Sequence, residues 1–488
     1  MLHVTSLPSR FGIGDLGPEA HRFVDFLSDS GQTLWQMLPI NPTSAGAADS
    51  PYSCTSAFAG NWMLISPELL VTKGLLKPDE LDEAPRFPAQ SVDYARARDC
   101  KNRLVDLACR RRRDKLGTEF DIFCANQADW LDDYAAFEAI SLNRKSQPWY
   151  RWPEELRDLH HPRARKMLEH LKEEIELVKV RQHLFFDQWH SLRRHCDARG
   201  IQLFGDIPIY IAHDTADAWA KPGLFLLDEK GRMEVVSGVP ATSFNPEGQK
   251  WGMPLYDWRA HAAEGYKWWI NRLRHNLEMF DWVRIDHFLG LVDYWAIPRK
   301  SKSALEGSWH RGPREDFFNA VYRHLPCLPI VAEDLGLVTP DARQLMDRYS
   351  LQGMRVLVDG FNEEPGGSYF LPHNHVENCM VYTSTHDTHT VIGWYSTAGA
   401  DQKRRMAAYF GHRPHKTDLA WDFIRMAMSS VGVGAMVQMQ DLLSLGEDAR
   451  MNRPGLPEGN WKWRMKPNAI TAAISRRLGE LTSTYGRV

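Results

Sequence analysis

The stretch Asp281 to Leu291, DWVRIDHFLGL, decides how the rest of the chain is read. Trp282-Val283-Arg284-Ile285 has the apolar weight of a short strand, and it runs into a charged cluster. Side chains alternate along a strand, so Arg284 and Asp286 share one face and Ile285 takes the other. An Arg beside an Asp favours the ionised carboxylate. An ionised carboxylate at the mouth of a strand is what a carboxylate nucleophile requires. A structural ion pair closing a loop would use the same residues.

Working outward, similar strands recur, each ending on polar residues. Pro329 to Ala332 ends on Glu333-Asp334, Ile201 to Gly205 on Asp206, and Met380 to Ser384 near His386-Asp387. Met1 to Thr5, Thr33 to Leu38, Met354 to Val358 and Ala435 to Met439 complete a set of eight strand candidates. Helical periods lie between most of them: Pro18 to Ser30 with Pro at its first position, Tyr266 to Phe280, Glu315 to Leu325, Pro340 to Tyr349, Thr417 to Ser429 and Ile470 to Tyr485. The sixth-to-seventh connection is short and rich in Pro, Gly and Asn. Eight strands with intervening helices make an α/β chain with the (β/α)8 TIM barrel count, whose active site lies at the carboxyl ends of the strands. The polar residues fall at those ends. The chain divides into a start of the barrel with an inserted loop (1–66), a mainly helical insertion with its own small core (67–200), and the remaining barrel with a loop at 238–258 (201–488).

Composition excludes several classes. Net charge is −3 over 488 residues, and the basic run Arg110-Arg113 reads as a solvated helix face, so no nucleic-acid footprint is present. No apolar run is long enough to span a membrane, and MLHVTSLPS is not a signal peptide. Seven scattered cysteines without CxxC spacing fit reduced thiols in a cytoplasm. Eighteen tryptophans serve either a bulky core or stacking platforms for sugar rings.

Paired carboxylates across a pocket suit glycoside cleavage, one as nucleophile and one as acid/base. Asp286 beside Arg284 suits the nucleophile. Glu333 follows an apolar strand and abuts Asp334; desolvation and a like charge both raise a carboxyl pKa, which suits the acid. Asp387 is placed to bind sugar hydroxyls. A Mg²⁺ or Ca²⁺ site would use the same residue types. The patch His373, His375, His386 and His389 reads as hydroxyl donors and loop packing, with a zinc site as the alternative. The loop GVPATSFNPEGQKWGMPLYDW, Gly238 to Trp258, carries Phe244, Trp251, Tyr256 and Trp258 and reads either as a flap over a glucan chain or as aromatics packed on the rim.

A set of motifs runs through nearly the whole chain: HVTSLPSRFGIGDLGPEA, WQMLPINPT, SPYSCTSAFAGN, FGDIPIYIAHDTADAW, GQKWGMPLYDW, RIDHFLGL, AEDLGLVTPD, GMRVL, YTSTHDTHT, ARMNRPG and GNWKWR. Together they resemble the 4-α-glucanotransferases of glycoside hydrolase family 77, called amylomaltases or disproportionating enzymes and related to the α-amylases. The resemblance implies transfer of α-1,4-glucan segments, no cofactor, a cytoplasmic location, and a barrel with inserted subdomains but no separate C-terminal β-domain. It implies Asp286 as nucleophile, Glu333 as acid/base and Asp387 as transition-state stabiliser. Arg284 and His386 would support them, and Tyr52, Asp206, Trp251 and Asn460 match glucan-subsite positions. A retaining 4-α-glucanotransferase is expected; a hydrolase of the same clan and a non-catalytic α-glucan-binding protein are the alternatives.

This chain departs from the family pattern in the loop and after Asp387. Ala241-Thr242 stand where the family usually has Pro-Asp, Met253 where it has Asn, and Thr388 and His389 where it has Asn and Asp. The chain also starts almost on its first strand, where relatives usually have several residues more.

Overall fold

The computed structural model describes residues 1–241, 246–336, 338–415 and 417–487. Its strands in chain order are β1 (Leu34–Gln36), β2 (Gln202–Pro208), β3 (Val235–Val239), β4 (Gln249–Lys250), β5 (Trp282–Asp286), β6 (Asp293–Pro298), β7 (Ser308–Arg311), β8 (Ile330–Ala332), β9 (Gly353–Val356), β10 (Cys379–Tyr382) and β11 (Gly434–Met436). Parallel pairing runs β1-β2-β5-β8 and again β9-β10-β11. The two ladders meet where Ala332 N donates to Gln352 O at 2.7 Å. The opposite seam is closed by the first residues: Leu2 N donates to Gln36 O at 3.0 Å and Met439 N to Met1 O at 3.1 Å. Seven parallel strands and this opening segment form one ring, the (β/α)8 barrel.

The expected strand over Met1 to Thr5 is not regular. Ser6 N bonds back to His3 O and Leu7 N to Val4 O, so Val4–Ser6 is a 3-10 turn. That turn carries the backbone off the ring before a longer ladder can form. Elsewhere the expected helices form: Pro18–Asp29, Lys267–Met279, Arg314–His324, Pro340–Arg348, Leu419–Met428 and Ala472–Thr484. The connection from β9 to β10 contains the 3-10 turns Leu357–Phe361, Pro365–Gly367 and Pro372–Asn374.

Helices fill the insertion between β1 and β2, the longest being Tyr94–Arg113, Ala128–Asn143 and Lys172–Ala198. Their apolar faces do not form a separate core. Leu104, Leu131, Phe137, Phe185 and Trp189 join the barrel's Trp35, Leu203, Val283 and Ile285 in one contiguous buried cluster. Two buried glutamines on Lys172–Ala198 grip the chain that leaves β1. Gln182 both donates to Gly60 O (2.9 Å) and accepts from Gly60 N (2.8 Å), and Gln188 does the same with Ser66 (3.1 and 2.7 Å). Each side-chain amide substitutes for a strand neighbour, so this buried backbone is paired. In the basic run, Arg111 is not simply solvated: it makes a two-pronged pair with Glu80 at 2.7 and 2.6 Å.

One element was not anticipated. β4-β3-β6-β7 is an antiparallel sheet, with register pairs such as Ser237↔Ala296 and Trp295↔Trp309. It is contributed by the segments after β2 and after β5, which lie far apart in sequence. The loop 238–258 joins this sheet through the pairs Gly238↔Lys250 and Val239↔Gln249. Thr242 and Phe244 lie outside the described residues. No helix among the described residues is long and apolar enough to cross a membrane.

Candidate functional site

β5 delivers Arg284 and Asp286 to the mouth of the barrel, with Ile285 fully buried on the opposite face. Arg284 is 4% exposed and works as a hub. Its Nη2 donates to Asp286 Oδ1 at 2.6 Å, and its Nη1 to Asp206 Oδ2 at 2.7 Å and Oδ1 at 3.0 Å. The register pairs Asp206 on β2 directly with Arg284, which explains the contact. Asp206 is 2% exposed and also accepts from Tyr52 Oη at 2.6 Å. Burial pushes its carboxyl up to about 6, against the pull of Arg284. Asp206 thus sits behind Arg284 and fixes it, with both oxygens occupied by protein donors.

Glu333 follows β8. Its Oε2 accepts from His287 N and its Oε1 from Leu335 N, each at 2.8 Å. His287 lies in the left-handed region at φ 50, a conformation that non-glycine residues hold only where the surroundings enforce it. The turn brings its amide to Glu333 directly after Asp286. Burial, with Asp286 as the nearby like charge, pushes the Glu333 carboxyl up to about 7 despite Arg284 and the two backbone donors. The like charge is not Asp334. That residue faces away, accepting from Met354 N at 2.6 Å and pairing with Arg355 at 3.1 Å, because adjacent residues leave a strand on opposite sides.

His386 and Asp387 follow β10. His386 is 4% exposed; its Nε2 lies 2.8 Å from Tyr52 Oη and 3.2 Å from Asp387 Oδ2, and its ring stacks on Tyr52 at 5.3 Å. Asp387 Oδ1 accepts from Asn452 Nδ2 at 2.6 Å. Burial opposes ionisation of Asp387, but His386, Asn452 and Arg284 together hold its carboxyl well below the usual range. One connected network thus joins Tyr52, Asp206, Arg284, Asp286, His386 and Asp387, with Glu333 facing it.

The other two residues expected at glucan subsites, Asn460 and Trp251, flank this network. Asn460 uses both ends of its amide within its own loop, accepting from Arg453 N at 2.9 Å and donating to Leu456 O at 2.8 Å. Its neighbour Trp461, at φ 62, reaches Tyr52 (ring centroids 5.7 Å) and His386 (6.1 Å). Trp251 is half-buried, sets its ring edge-on to His287 at 4.7 Å, and donates from Nε1 to Gln249 Oε1 at 2.9 Å. The four clustered histidines have separate partners: His373 meets Tyr409, His375 meets Ser430, His386 meets Tyr52, and His389 meets Glu447. No group of three metal-ligating side chains occurs among the described residues. Reading the sequence missed His287, Trp461, Arg450 and Asn452. The last two sit in ARMN, directly after the 3-10 turn Glu447–Ala449, and the motif ARMNRPG was the available signal.

The fold is a (β/α)8 barrel whose mouth is lined by carboxylates held in an arginine, tyrosine and histidine network. The chain belongs to the 4-alpha-glucanotransferase family, whose sequence model matches residues 2–471. It is 43% identical to a 4-alpha-glucanotransferase of Synechocystis sp., covering all of this chain and 97% of that one. It is 42% identical to one of Aquifex aeolicus, covering 100% and 98%. Among solved structures, an amylomaltase from Streptococcus agalactiae in complex with acarbose superposes with a TM-score of 0.96 at 34% identity, covering 99% of this chain and 98% of that one.

Proposed function

We propose that this protein is a retaining 4-α-glucanotransferase that moves α-1,4-glucan segments from a donor to a glucose or maltooligosaccharide acceptor by double displacement. The observation that carries the reading is the contrast between two carboxyls at one barrel mouth. Asp286 takes a 2.6 Å hydrogen bond from a buried guanidinium, while burial pushes Glu333 up to about 7. That contrast supports reading Asp286 as nucleophile and Glu333 as acid. An Asp286 oxygen attacks the anomeric carbon, and its bond to the leaving oxygen breaks as Glu333 gives that oxygen a proton. The glycosyl group is then esterified to Asp286. In the second half, an acceptor hydroxyl loses its proton to Glu333 as its oxygen displaces Asp286. One glycosidic bond replaces another, so the reaction needs no cofactor. Asp387, held anionic, binds sugar hydroxyls at the reacting ring. Tyr52, Asp206 and His386 keep Arg284 and Asp387 in place, and Trp251 and Asn460 shape the approach to the site.

Support comes from the named activity of the relatives and from acarbose, a maltooligosaccharide mimic, in the S. agalactiae enzyme. The organisation that goes with this reading is a barrel start at 1–66, a mainly helical insertion at 67–200 and the remaining barrel at 201–488.

The test is to incubate the protein and its Asp286→Asn variant with maltotriose, following products and total reducing ends together. The expected result is glucose plus a ladder of longer maltooligosaccharides at constant reducing ends, with the variant folded and inactive. Rising reducing ends without longer products would make the protein a hydrolase. A variant with near-normal transfer would remove Asp286 from the nucleophile's role.

A further inference from the structure

We propose that Asn452 and Arg450, carried on the segment after β11, are positioning residues for Asp387, and that the pair His389–Glu447 braces them. The inference deepens the reading above and rests on Asp387 as the carboxylate that binds the reacting sugar.

Asp387 is clasped from one side by this segment. Asn452 Nδ2 donates to Asp387 Oδ1 at 2.6 Å, and Asn452 N donates to the carbonyl of His386 at 3.0 Å. Arg450 Nη2 donates to the carbonyl of Asp387 itself at 2.6 Å. Both the carboxylate and the peptide bearing it are thus tied to the same short run of chain. Arg450 is in turn fixed at its other nitrogens: Nε donates to Asn452 O at 2.7 Å, and Nη1 lies 3.2 Å from Glu447 Oε1. The second oxygen of Glu447 lies 2.7 Å from His389 Nδ1. An aspartate at 389 would put a like charge against Glu447; the imidazole is a partner instead. Glu447 is held below the usual carboxylate range, burial opposing and His389 and Arg450 outweighing it.

The geometry gives Asn452 a task that a loop brace lacks. Asp387 Oδ2 is oriented by His386 on its own strand end, and Oδ1 by Asn452 from another element. With both oxygens held, the carboxylate cannot rotate away from one fixed pose. The other charged or titratable groups bearing on Asp387 are Arg284 from β5 and Tyr52 from the segment after β1. Neither replaces the donor at Oδ1.

The experiment compares Asn452→Ala, Asn452→Asp and Asp387→Asn with the wild-type protein, measuring kcat and KM for maltotriose disproportionation across the acid and alkaline limbs. A hydrogen bond to a charged group that matters only when Asp387 is posed for reaction predicts a fall of about 10- to 100-fold in kcat for Asn452→Ala, with KM little changed. Asn452→Asp carries the sharper signature. Two carboxyls that close share one proton, and the protonated pair keeps a donor at Oδ1. Once that proton leaves, the two groups repel. The optimum of Asn452→Asp therefore moves to more acidic pH than wild type, and its activity falls on the alkaline side first. Wild-type kcat and pH profile in both Asn452 variants, with Asp387→Asn inactive, would overturn the clamp and leave the reading of Asp387 intact. A lowered kcat with an unmoved pH profile would reduce Asn452 to a structural brace and also overturn it. An active Asp387→Asn would overturn the role of Asp387 itself.

Discussion

Glu333 shows how one carboxyl acquires a pH-dependent task. Burial pushes it up to about 7, so it keeps its proton through mildly acidic conditions. As the acid of glucan transfer it should fail as pH rises through about 7, which the alkaline limb of kcat reports. The same shift affects stability. The folded pKa lies above the unfolded value of 4.5, so the contribution is present below 4.5 and lost as pH rises through about 7. Glu333→Gln removes this titration. The variant should be inactive, and its melting temperature should fall less than the wild type's on going from acidic to alkaline pH. Parallel melting curves would show that Glu333 is not the buried acid. At this scale the type and strand-end position of Asp286, Glu333 and Asp387 were legible in sequence. The company each keeps was not: Glu333 and Asp334 are adjacent in the chain yet face opposite ways, so the like charge beside Glu333 comes from β5.

At the scale of elements, buried polar pairs join the insertion to the barrel. Lys101, fully buried on the helix Tyr94–Arg113, donates to Asp15 Oδ2 at 2.5 Å and to the carbonyl of Ile65 at 2.8 Å. Asp15 also accepts from Gly17 N at 3.0 Å, just before the helix that starts at Pro18. Removing one partner leaves a buried charge without compensation, so Lys101→Ala should cost about 3–5 kcal/mol. Urea unfolding measures this. A loss below about 1 kcal/mol would put the pair in the class of solvated surface bridges. Local patterning announced the long helices well, because a helix writes its 3.6-residue period within one segment. It gave no sign of the β4-β3-β6-β7 sheet. β4 has only two residues, β3 contains Gly238, and β3 pairs with β6 from across β5.

At the scale of the whole molecule, one apolar cluster runs from the β1, β2 and β5 side of the barrel into the helical insertion, while β9, β10 and β11 pack in a second cluster. Leu131 is fully buried within that shared cluster. Leu131→Ala should therefore cost about 2–5 kcal/mol and raise hydrogen exchange in β2 as well as in the insertion. Faster exchange confined to the insertion would mean that the two parts unfold separately. The sequence by itself determined the barrel and its carboxylate-bearing strand ends, because strand and helix periods and strand-end residues are local properties written in order; its family came from the likeness of its motifs to those of known proteins. Only the tertiary structure decided that the first residues pair with both neighbours yet turn away as a 3-10 helix. It also decided that Asp206 faces Arg284 rather than the open site, and that a segment beyond the last strand clasps Asp387. Those outcomes depend on which backbone groups and charges meet across the closed ring. Contacts between residues tens to hundreds of positions apart leave no period in the chain.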